Sequence, residues 1–572
     1  MKKFYTGVLA MALACSANAQ SIAYSLDKNY KGKGYQFNDP NPVSYSTGSA
    51  DAILLNDDGT EYVGIKQLFA GDQYAITVLV KNKANGTRDS SFATNGIATE
   101  NIQRGMRVTD IALLGGGKIY CSGTGWGGYV WGSNTMSPQI FAGGVVPPYL
   151  IAYDGCKHNS NTVVQVGDEN VIAFFIDNGA NTTNTYSNDG YAYVTYPTLS
   201  ANTPKLQRVA SVLSGSYYVA GVVDSFAFIA KYKHRTFDLD STWGTNGVVS
   251  FETGDVGGAS YFSDLKIQPD GKVVAIFNGA FNGSNIISNF ILRYTTTGVA
   301  DNAFNTNGKL ELLNCNRVAF LPTNEIALLH QYDFVSTHQA GIIHLSNSGT
   351  VLQVADFSLP TASGTNQENT PLAISANAAG DIAISGIMLD SASNTDKFFT
   401  MRLKRNVCNT TGTITNVGGT SATVTFSNTT LPIRVVVGDG DGGITFDQTV
   451  TSGNSVTATG LSPETAYVVQ VIEDNSCTWQ TTFTTTDGSV GINDVANNIS
   501  FSIYPNPTKE FLTIACNDEV EAIEIYNVLG ECVKLVRGAI KQISVSDLSS
   551  GIYTLHLSAK NGHGAVKKFV KE

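Results

Sequence analysis

Charged residues are scarce in this chain. Lys and Arg number 36 and Asp and Glu 47 among 572 residues, or 15%, against about 25% in an average soluble protein. The balance, 36 − 47 = −11, is acidic and shows no basic stripe. That argues against nucleic-acid binding, whose affinity comes largely from neutralised phosphates. Beyond the N-terminus no apolar run approaches the roughly 20 residues of a membrane-spanning helix, so no transmembrane segment is expected. The eight Cys include no C-x-x-C spacing, and the seven His form no H-E-x-x-H or similar pattern, so no metal site is assigned. A Gly-x-Ser-x-Gly elbow is missing too: Gly215-Ser216 runs on into Tyr217-Tyr218-Val219. No catalytic or cofactor-binding residue is therefore named. What the chain has instead is Gly (57 residues), Tyr (25) and Phe (27) within a 42% hydrophobic share, enough apolar surface to exclude global disorder.

The N-terminus reads as an export signal over residues 1–19. Lys2 and Lys3 precede the short apolar run Phe4 to Ala14, and Ala17 and Ala19 suit signal peptidase, leaving Gln20 as the first mature residue. Lipidation at Cys15 is the rival reading. Ala12 stands where such a site usually has Leu, so soluble cleavage is preferred.

Residues 20–405 repeat themselves. A nine-residue frame recurs as LDKNYKGKG (Leu26–Gly34), RDSSFATNG (Arg88–Gly96), LDSTWGTNG (Leu239–Gly247) and ADNAFNTNG (Ala300–Gly308). It holds an Asp (Asp27, Asp89, Asp240, Asp301), an aromatic three residues on and a Gly four beyond that. The stretch Thr183–Gly190 keeps only the aromatic and the Gly. Alternating strand pairs centre on Ile53, Ile111, Val164 (the weakest), Val209, Ile267, Phe320 and Ile374, spaced by 58, 53, 45, 58, 53 and 54 residues. Units of about four short strands at such a period mark a β-propeller, because one small sheet cannot bury both faces and a ring of sheets can. Seven blades are favoured, six if the Val164 unit belongs to its neighbour. The motif Asp is read as a turn or capping residue. LDSTWGTNG followed by PDGKVVAI and FILRY resembles the delta-60 repeat of bacterial extracellular proteins. Gly123–Tyr149, with Trp126, Tyr129 and Trp131, reads as an inserted aromatic loop, either a ligand-contacting flap or a self-packed insertion.

From 406 to 487 Thr and Val take over. Ala422–Phe426 and Ile433–Val437 alternate as strands, and Gly460-Leu461-Ser462-Pro463 leading to Tyr467 resembles the end of a fibronectin type III domain. A spacer or adhesive β-sandwich is implied. Cys408 and Cys477, near its two ends, are the candidate disulfide, and Cys516 with Cys532 a second possible pair. Asp439-Gly440-Asp441-Gly442-Gly443 lacks the Glu that a calcium loop needs and reads as a polar turn.

A Gly/Asn-rich linker, 488–498, leads to a last segment, 499–572. It carries Tyr504-Pro505-Asn506-Pro507-Thr508, the run Ile525-Tyr526-Asn527-Val528-Leu529-Gly530, then Gly551-Ile552-Tyr553-Thr554-Leu555, and Lys567-Lys568-Phe569-Val570-Lys571 at the end. These four motifs, in this order, resemble the type A C-terminal sorting domain of Bacteroidota type IX secretion. The resemblance implies periplasmic transit, the type IX machinery as partner, and removal of the domain before surface attachment or release.

The sequence thus predicts an all-β protein, a propeller followed by two small β-sandwiches, secreted or displayed on the cell surface. Its expected role is non-catalytic adhesion or recognition of an unknown extracellular ligand, a glycan or a protein. The alternative is a propeller hydrolase acting on glycans. A sialidase-type Asp box is not formed: Asn56-Asp57-Asp58-Gly59 lacks the Ser and the Trp, and Ser187-Asn188-Asp189-Gly190-Tyr191 stands alone.

Overall fold

The computed structural model describes residues 21–38, 45–69, 75–99, 107–124, 129–131, 139–140, 152–158, 162–167, 171–177, 182–183, 191–193, 202–212, 215–234, 236, 238–253, 260–279, 288–331, 340–357, 369–390, 395–439, 443–487, 500–560 and 564–572. The expected signal (residues 1–19), the linker 488–498, Trp126 and most of Thr183–Gly190 lie outside them. The protein is all-β, and the only helical pieces among the described residues are two 3-10 turns. Contacts divide it into two compact units, one of Met1–Thr415, Val424–Val456 and Tyr467–Phe483, the other of Asn416–Thr423, Thr457–Ala466 and Thr484–Glu572.

The first unit contains seven antiparallel sheets of four or five strands, the blades of a propeller. Their first strands are Tyr45–Leu55, Arg107–Leu113, Ala152–Lys157, Lys205–Ser211, Tyr261–Ile267, Cys315–Phe320 and Asn369–Ala376, for blades 1 to 7. Each touches the next, and the seventh touches the first, which closes the circle. Blade 5 is representative, with strands Tyr261–Ile267, Val273–Gly279, Ser288–Tyr294 and Lys309–Leu312. Its second strand, VVAIFNG, is buried at every position, because both of its faces meet neighbouring blades. Val164 falls in the second strand of blade 3, Thr162–Gly167, so the unit read from it in the sequence is displaced by one strand.

The repeat motif lies inside a blade, between its third and fourth strands. Its copies in blades 1, 4 and 5 fit their order in the chain, but Leu26–Gly34 belongs to the last blade. Ser21–Leu26 pairs with Leu403–Cys408, and Tyr35–Phe37 pairs with Phe399–Met401. The N-terminus therefore supplies the outer strands of blade 7, so that ring closure joins the two ends of the repeat region.

Every copy makes the same bonds. The amides of Asp89, Asp240, Asp301 and Asp27 donate to the carbonyls of Lys81, Lys231, Arg293 and Arg402 in the third strands, whose amides donate to Gly96, Gly247, Gly308 and Gly34. The Asp carboxylate accepts from the residue two positions on, from Thr242 N at 3.2 Å in blade 4, which is the turn role expected of it. Gly247 has φ +92°, and a Cβ there would lie 2.8 Å from Leu239 Cβ, so only Gly closes the turn without strain. The motif aromatics Tyr30, Phe92, Trp243 and Phe304 are at most 3% exposed. Three of them wedge against the following blade in one way: the residue after the aromatic donates its amide to a turn carbonyl there, Lys31 to Asn85, Gly244 to Thr297 and Asn305 to Ser348. The glycine after each acceptor is the seat of the ring. A Cβ on Gly298 would come within 2.8 Å of Trp243.

Later in this unit, Ile444–Val450, Ile433–Asp439, Ala466–Glu473 and Thr478–Thr484 form a four-stranded sheet in that order. Cys408 and Cys477 are joined, S–S 2.00 Å, and Ala23 packs against them.

In the second unit, Phe501–Tyr504, Phe511–Cys516 and Gln542–Ser544 form one sheet. Cys532–Arg537, Val520–Tyr526, Gly551–Ala559 and Gly564–Lys571 form another. Leu512, Ile523, Ile525, Leu555 and Phe569 lie in their shared core. Cys516 and Cys532 are free thiols. The expected pairing does not form: Cys516 ends a strand of one sheet, and Cys532 begins an edge strand of the other.

Candidate functional site

The first strands of all seven blades surround one cavity of about 250 Å³ on the ring axis. Each of these strands carries a β-bulge at the same place, where its pairing with the second strand slips by a residue. A bulge re-aims the side chain that follows it. The residues just past the bulge, from blade 1 to blade 7, are Ala52, Asp110, Asp154, Arg208, Asp264, Arg317 and Ala373, and all line the cavity. Five consecutive blades thus place a charge at one equivalent position.

Several of these charges are held by backbone. Asp154 Oδ2 accepts from Val209 N of the next blade at 3.0 Å, and Asp264 Oδ2 accepts from Val318 N at 2.8 Å. The same step round the ring would aim Asp110 at the Gly155 amide, yet among the described residues no such bond forms. Arg208 Nε and Arg317 Nη1 each donate to the Ser263 carbonyl at 2.8 Å, from the blades on either side of it. Ser263 is 3% exposed and its Oγ has no partner. Arg107 of blade 2 pairs with the buried Asp51 at 2.5 Å.

Burial sets the electrostatics. It pushes Asp110 up to about 6, against the pull of Lys266 and with the push of Asp154 and Asp264. Asp154 is also raised, by burial first, with Arg208 opposing. Lys266 is disfavoured as a cation by burial, but Asp264, Asp110 and Asp154 outweigh that and raise it. Arg208 is lowered by burial. Asp110, Asp154 and Arg208 shift because burial disfavours their charged forms, and Lys266 because the surrounding carboxylates outweigh its burial.

A second cluster joins blades 3 and 4. His158 Nδ1 lies 2.5 Å from Ser211 Oγ, and its Nε2 lies 2.5 Å from His234 Nδ1. Burial, then His234, pushes His158 down to about 4. Among the described residues, no three or more His, Cys, Asp or Glu side chains are arranged to hold a metal ion.

The motif residues Asp27, Asp89, Asp240 and Asp301 sit in the inter-strand turns and do not line the cavity. The charged ring is not read from the strand centres: Asp110 and Arg208 each stand one residue before the centres Ile111 and Val209, where the alternating apolar pattern draws no attention to them. Aligning Asp110-Ile111, Asp154-Gly155, Arg208-Val209, Asp264-Leu265 and Arg317-Val318 would have put the charges in one column.

In the tail, the first and last motifs meet. Asn506 Oδ1 accepts from Val570 N at 2.8 Å and its Nδ2 donates to Lys568 O at 3.2 Å. Thr508 N donates to Val570 O, and Glu572 N to Thr508 O. Pro505 and Pro507 flank this anchor, and Tyr504 is 52% exposed. Gly530, φ +80°, closes the turn Asn527–Glu531, leaving Val528 and Leu529 in solvent. Gly551 begins its strand, and Tyr553 stacks on Phe569 with ring centroids 5.6 Å apart. Lys567 and Lys568 are exposed.

Residues 502–572 match the secretion system C-terminal sorting domain family. The chain therefore carries a tail that addresses it to the type IX secretion machinery, for release or display at the cell surface. Among the described residues, no helix is long and apolar enough to cross a membrane. Comparison with curated proteins finds no match. Among solved structures, the chain is similar to the β-propeller domain of Cps50 (Swd1) from Myceliophteria thermophila, with 10% identity, TM-score 0.38, and coverage of 64% of this chain and 99% of that one. It is also similar to an extracellular domain assigned to a one-component system of B. thetaiotaomicron, with 10% identity, TM-score 0.29, and coverage of 94% and 99%. A third is PorZ, a surface component of the type IX secretion system of Porphyromonas gingivalis, with 12% identity, TM-score 0.20, and coverage of 91% and 81%.

Proposed function

We propose that this is a non-catalytic recognition protein of the cell exterior, with the propeller as the binding part. On this reading residues 1–19 are the cleaved signal, the repeats are of the delta-60 kind, and residues 406–487 are a fibronectin type III-like spacer. The last segment is a type A sorting domain that is removed after transit of the periplasm. One observation carries the non-catalytic reading: the cavity carboxylates are mostly committed. Asp51 is paired with Arg107, and Asp154 and Asp264 bond to backbone amides of the next blade. A glycosidase needs two carboxyl groups free to face a sugar. Asp110 favours the second reading, a hydrolase, since a carboxyl held near 6 is in the range of a general acid.

The test is a glycan and protein array probed with the full exported chain, beside a hydrolysis screen. Binding without turnover is expected; turnover lost in Asp110→Asn would replace this reading by the hydrolase. Deleting residues 499–572 should hold the protein in the periplasm, and surface delivery of the truncated chain would refute the export route.

A further inference from the structure

The cavity charges are unevenly placed. With Asp51 and Arg107 taken as a closed pair, the three remaining carboxylates, Asp110, Asp154 and Asp264, face three cations, Arg208, Lys266 and Arg317. The cations all stand on blades 4 to 6. Asp110 stands on blade 2, three blades from Lys266 and so nearly across the ring. No cation lies within ion-pair distance of it among the described residues. On the cationic side, two guanidinium groups bracket Ser263, whose buried hydroxyl is unsatisfied. A buried polar atom left without a partner costs about 1–3 kcal/mol, and Ser263 Oγ, like Asp51 Oδ2, is such an atom in the wall of the cavity, where a ligand atom can reach it.

A simple anion at the guanidinium groups would leave Asp110 with only the longer-range pull of Lys266. A simple cation at Asp110 would leave the Ser263 hydroxyl without a partner and the guanidinium groups, each held by two backbone carbonyls, without a counter-charge from the ligand. The volume of about 250 Å³ falls below the roughly 300–1,000 Å³ of drug-sized ligand pockets, so the cavity suits a smaller molecule. We propose that the central cavity binds a small dipolar ion of the size of a single free amino acid. Its carboxylate takes the Arg208 and Arg317 guanidinium groups and the Ser263 hydroxyl, and its ammonium takes Asp110. This rests on the reading of the propeller as a recognition module and names the ligand class of that module's cavity.

Calorimetric titration of the full chain tests it, with free L-amino acids as probes and acetate and methylammonium as half-ligands. At least one amino acid should bind, and each half-ligand should bind at least about 100-fold more weakly, because each makes only one of two charge-assisted contacts. Asp110→Asn should weaken amino-acid binding by about tenfold or more. Ser263→Ala keeps the carbonyl that both arginines use; it should weaken binding by about fivefold without lowering the melting temperature of the free protein, which separates a lost contact from a lost fold. The proposal is overturned if no amino acid binds, if acetate binds as tightly as any amino acid, or if Asp110→Asn binds unchanged. An array ligand bound by a chain that ignores amino acids would sink this inference alone. Glycan turnover would sink the recognition reading beneath it.

Discussion

Two ring positions of the propeller share a repeated backbone and differ in what they hold. Between the third and fourth strands, the motif keeps its chemistry from copy to copy: Asp, an aromatic, Gly. At the bulge of the first strand, the backbone repeats in all seven blades while the side chains run Ala, Asp, Asp, Arg, Asp, Arg, Ala. The first position does one job each time, filling the gap to the next blade and closing a turn, so one solution recurs. The second has its backbone pairing settled by the bulge, and its side chains are free to differ. Regularity in the sequence therefore marks the scaffold, and the irregular column within a regular frame marks the chemistry.

The largest effect that would break this comparison is expected at the rim. Trp243→Ala should cost about 3–5 kcal/mol, the range for truncating a fully buried large aromatic, read as a shift of the urea midpoint. Trp243 is 0% exposed and meets Tyr218 of its own blade and Tyr294 of the next. A loss below ~1 kcal/mol would mean that the motif does not join the blades. Next, Cys408→Ser opens a cross-link of sequence separation 69 and should cost about 2–4 kcal/mol. The cooperativity of unfolding in reducing and non-reducing buffer checks it, and an unchanged reducing-buffer transition is expected for the variant.

Smaller still, Asp240→Ala removes the bonds to Thr242 and the pair with Lys231, for about 1 kcal/mol. The Thr242 hydroxyl, then Lys231, hold the Asp240 carboxyl down to about 2, and Ser91 with Lys81 does the same for Asp89. A carboxyl whose folded value lies below its unfolded one stabilises above the unfolded value and loses that contribution as pH falls through the folded one. Acid titration between about pH 4 and 2 should therefore destabilise the parent more than Asp240→Ala. Parallel acid curves would show that the motif Asp is not held ionised by its turn.

How far each position could be read from the sequence follows the same division. The motif was visible because Asp27, Asp89, Asp240 and Asp301 do identical work. Its place in the ring was not visible, since nothing in Leu26–Gly34 announces that Leu26 will pair with Leu403; closure is a property of the circle. The cavity ring was present as letters but hidden as a pattern, because its members alternate in charge and two are Ala. Cys516 and Cys532 misled for a related reason. Closeness in sequence suggests that their strands are neighbours, and the sandwich sends Phe511–Cys516 to pair with Phe501–Tyr504 and Gln542–Ser544 instead.

The smallest effect is the one that sharpens the comparison most. If the ring residues are not there for stability, neutralising one should not weaken the fold. Asp110 is held up to about 6 by burial, with Lys266, Asp154 and Asp264 as the charges facing it. A carboxyl raised above its unfolded value binds protons more readily in the folded state, so stability rises as pH falls through about 6 toward the unfolded value near 4. At pH 7 to 8 its half-buried charge opposes folding, and Asp110→Asn should raise the melting temperature by a few degrees at most. That advantage should shrink as the parent protonates below pH 6 and vanish near pH 4. A scaffold residue such as Asp240 would give the opposite sign at neutral pH. A fall in melting temperature for Asp110→Asn at pH 7 would place Asp110 with the rim, among the groups that hold the ring together, and would remove the cavity's claim to be the part of the propeller shaped for something outside it.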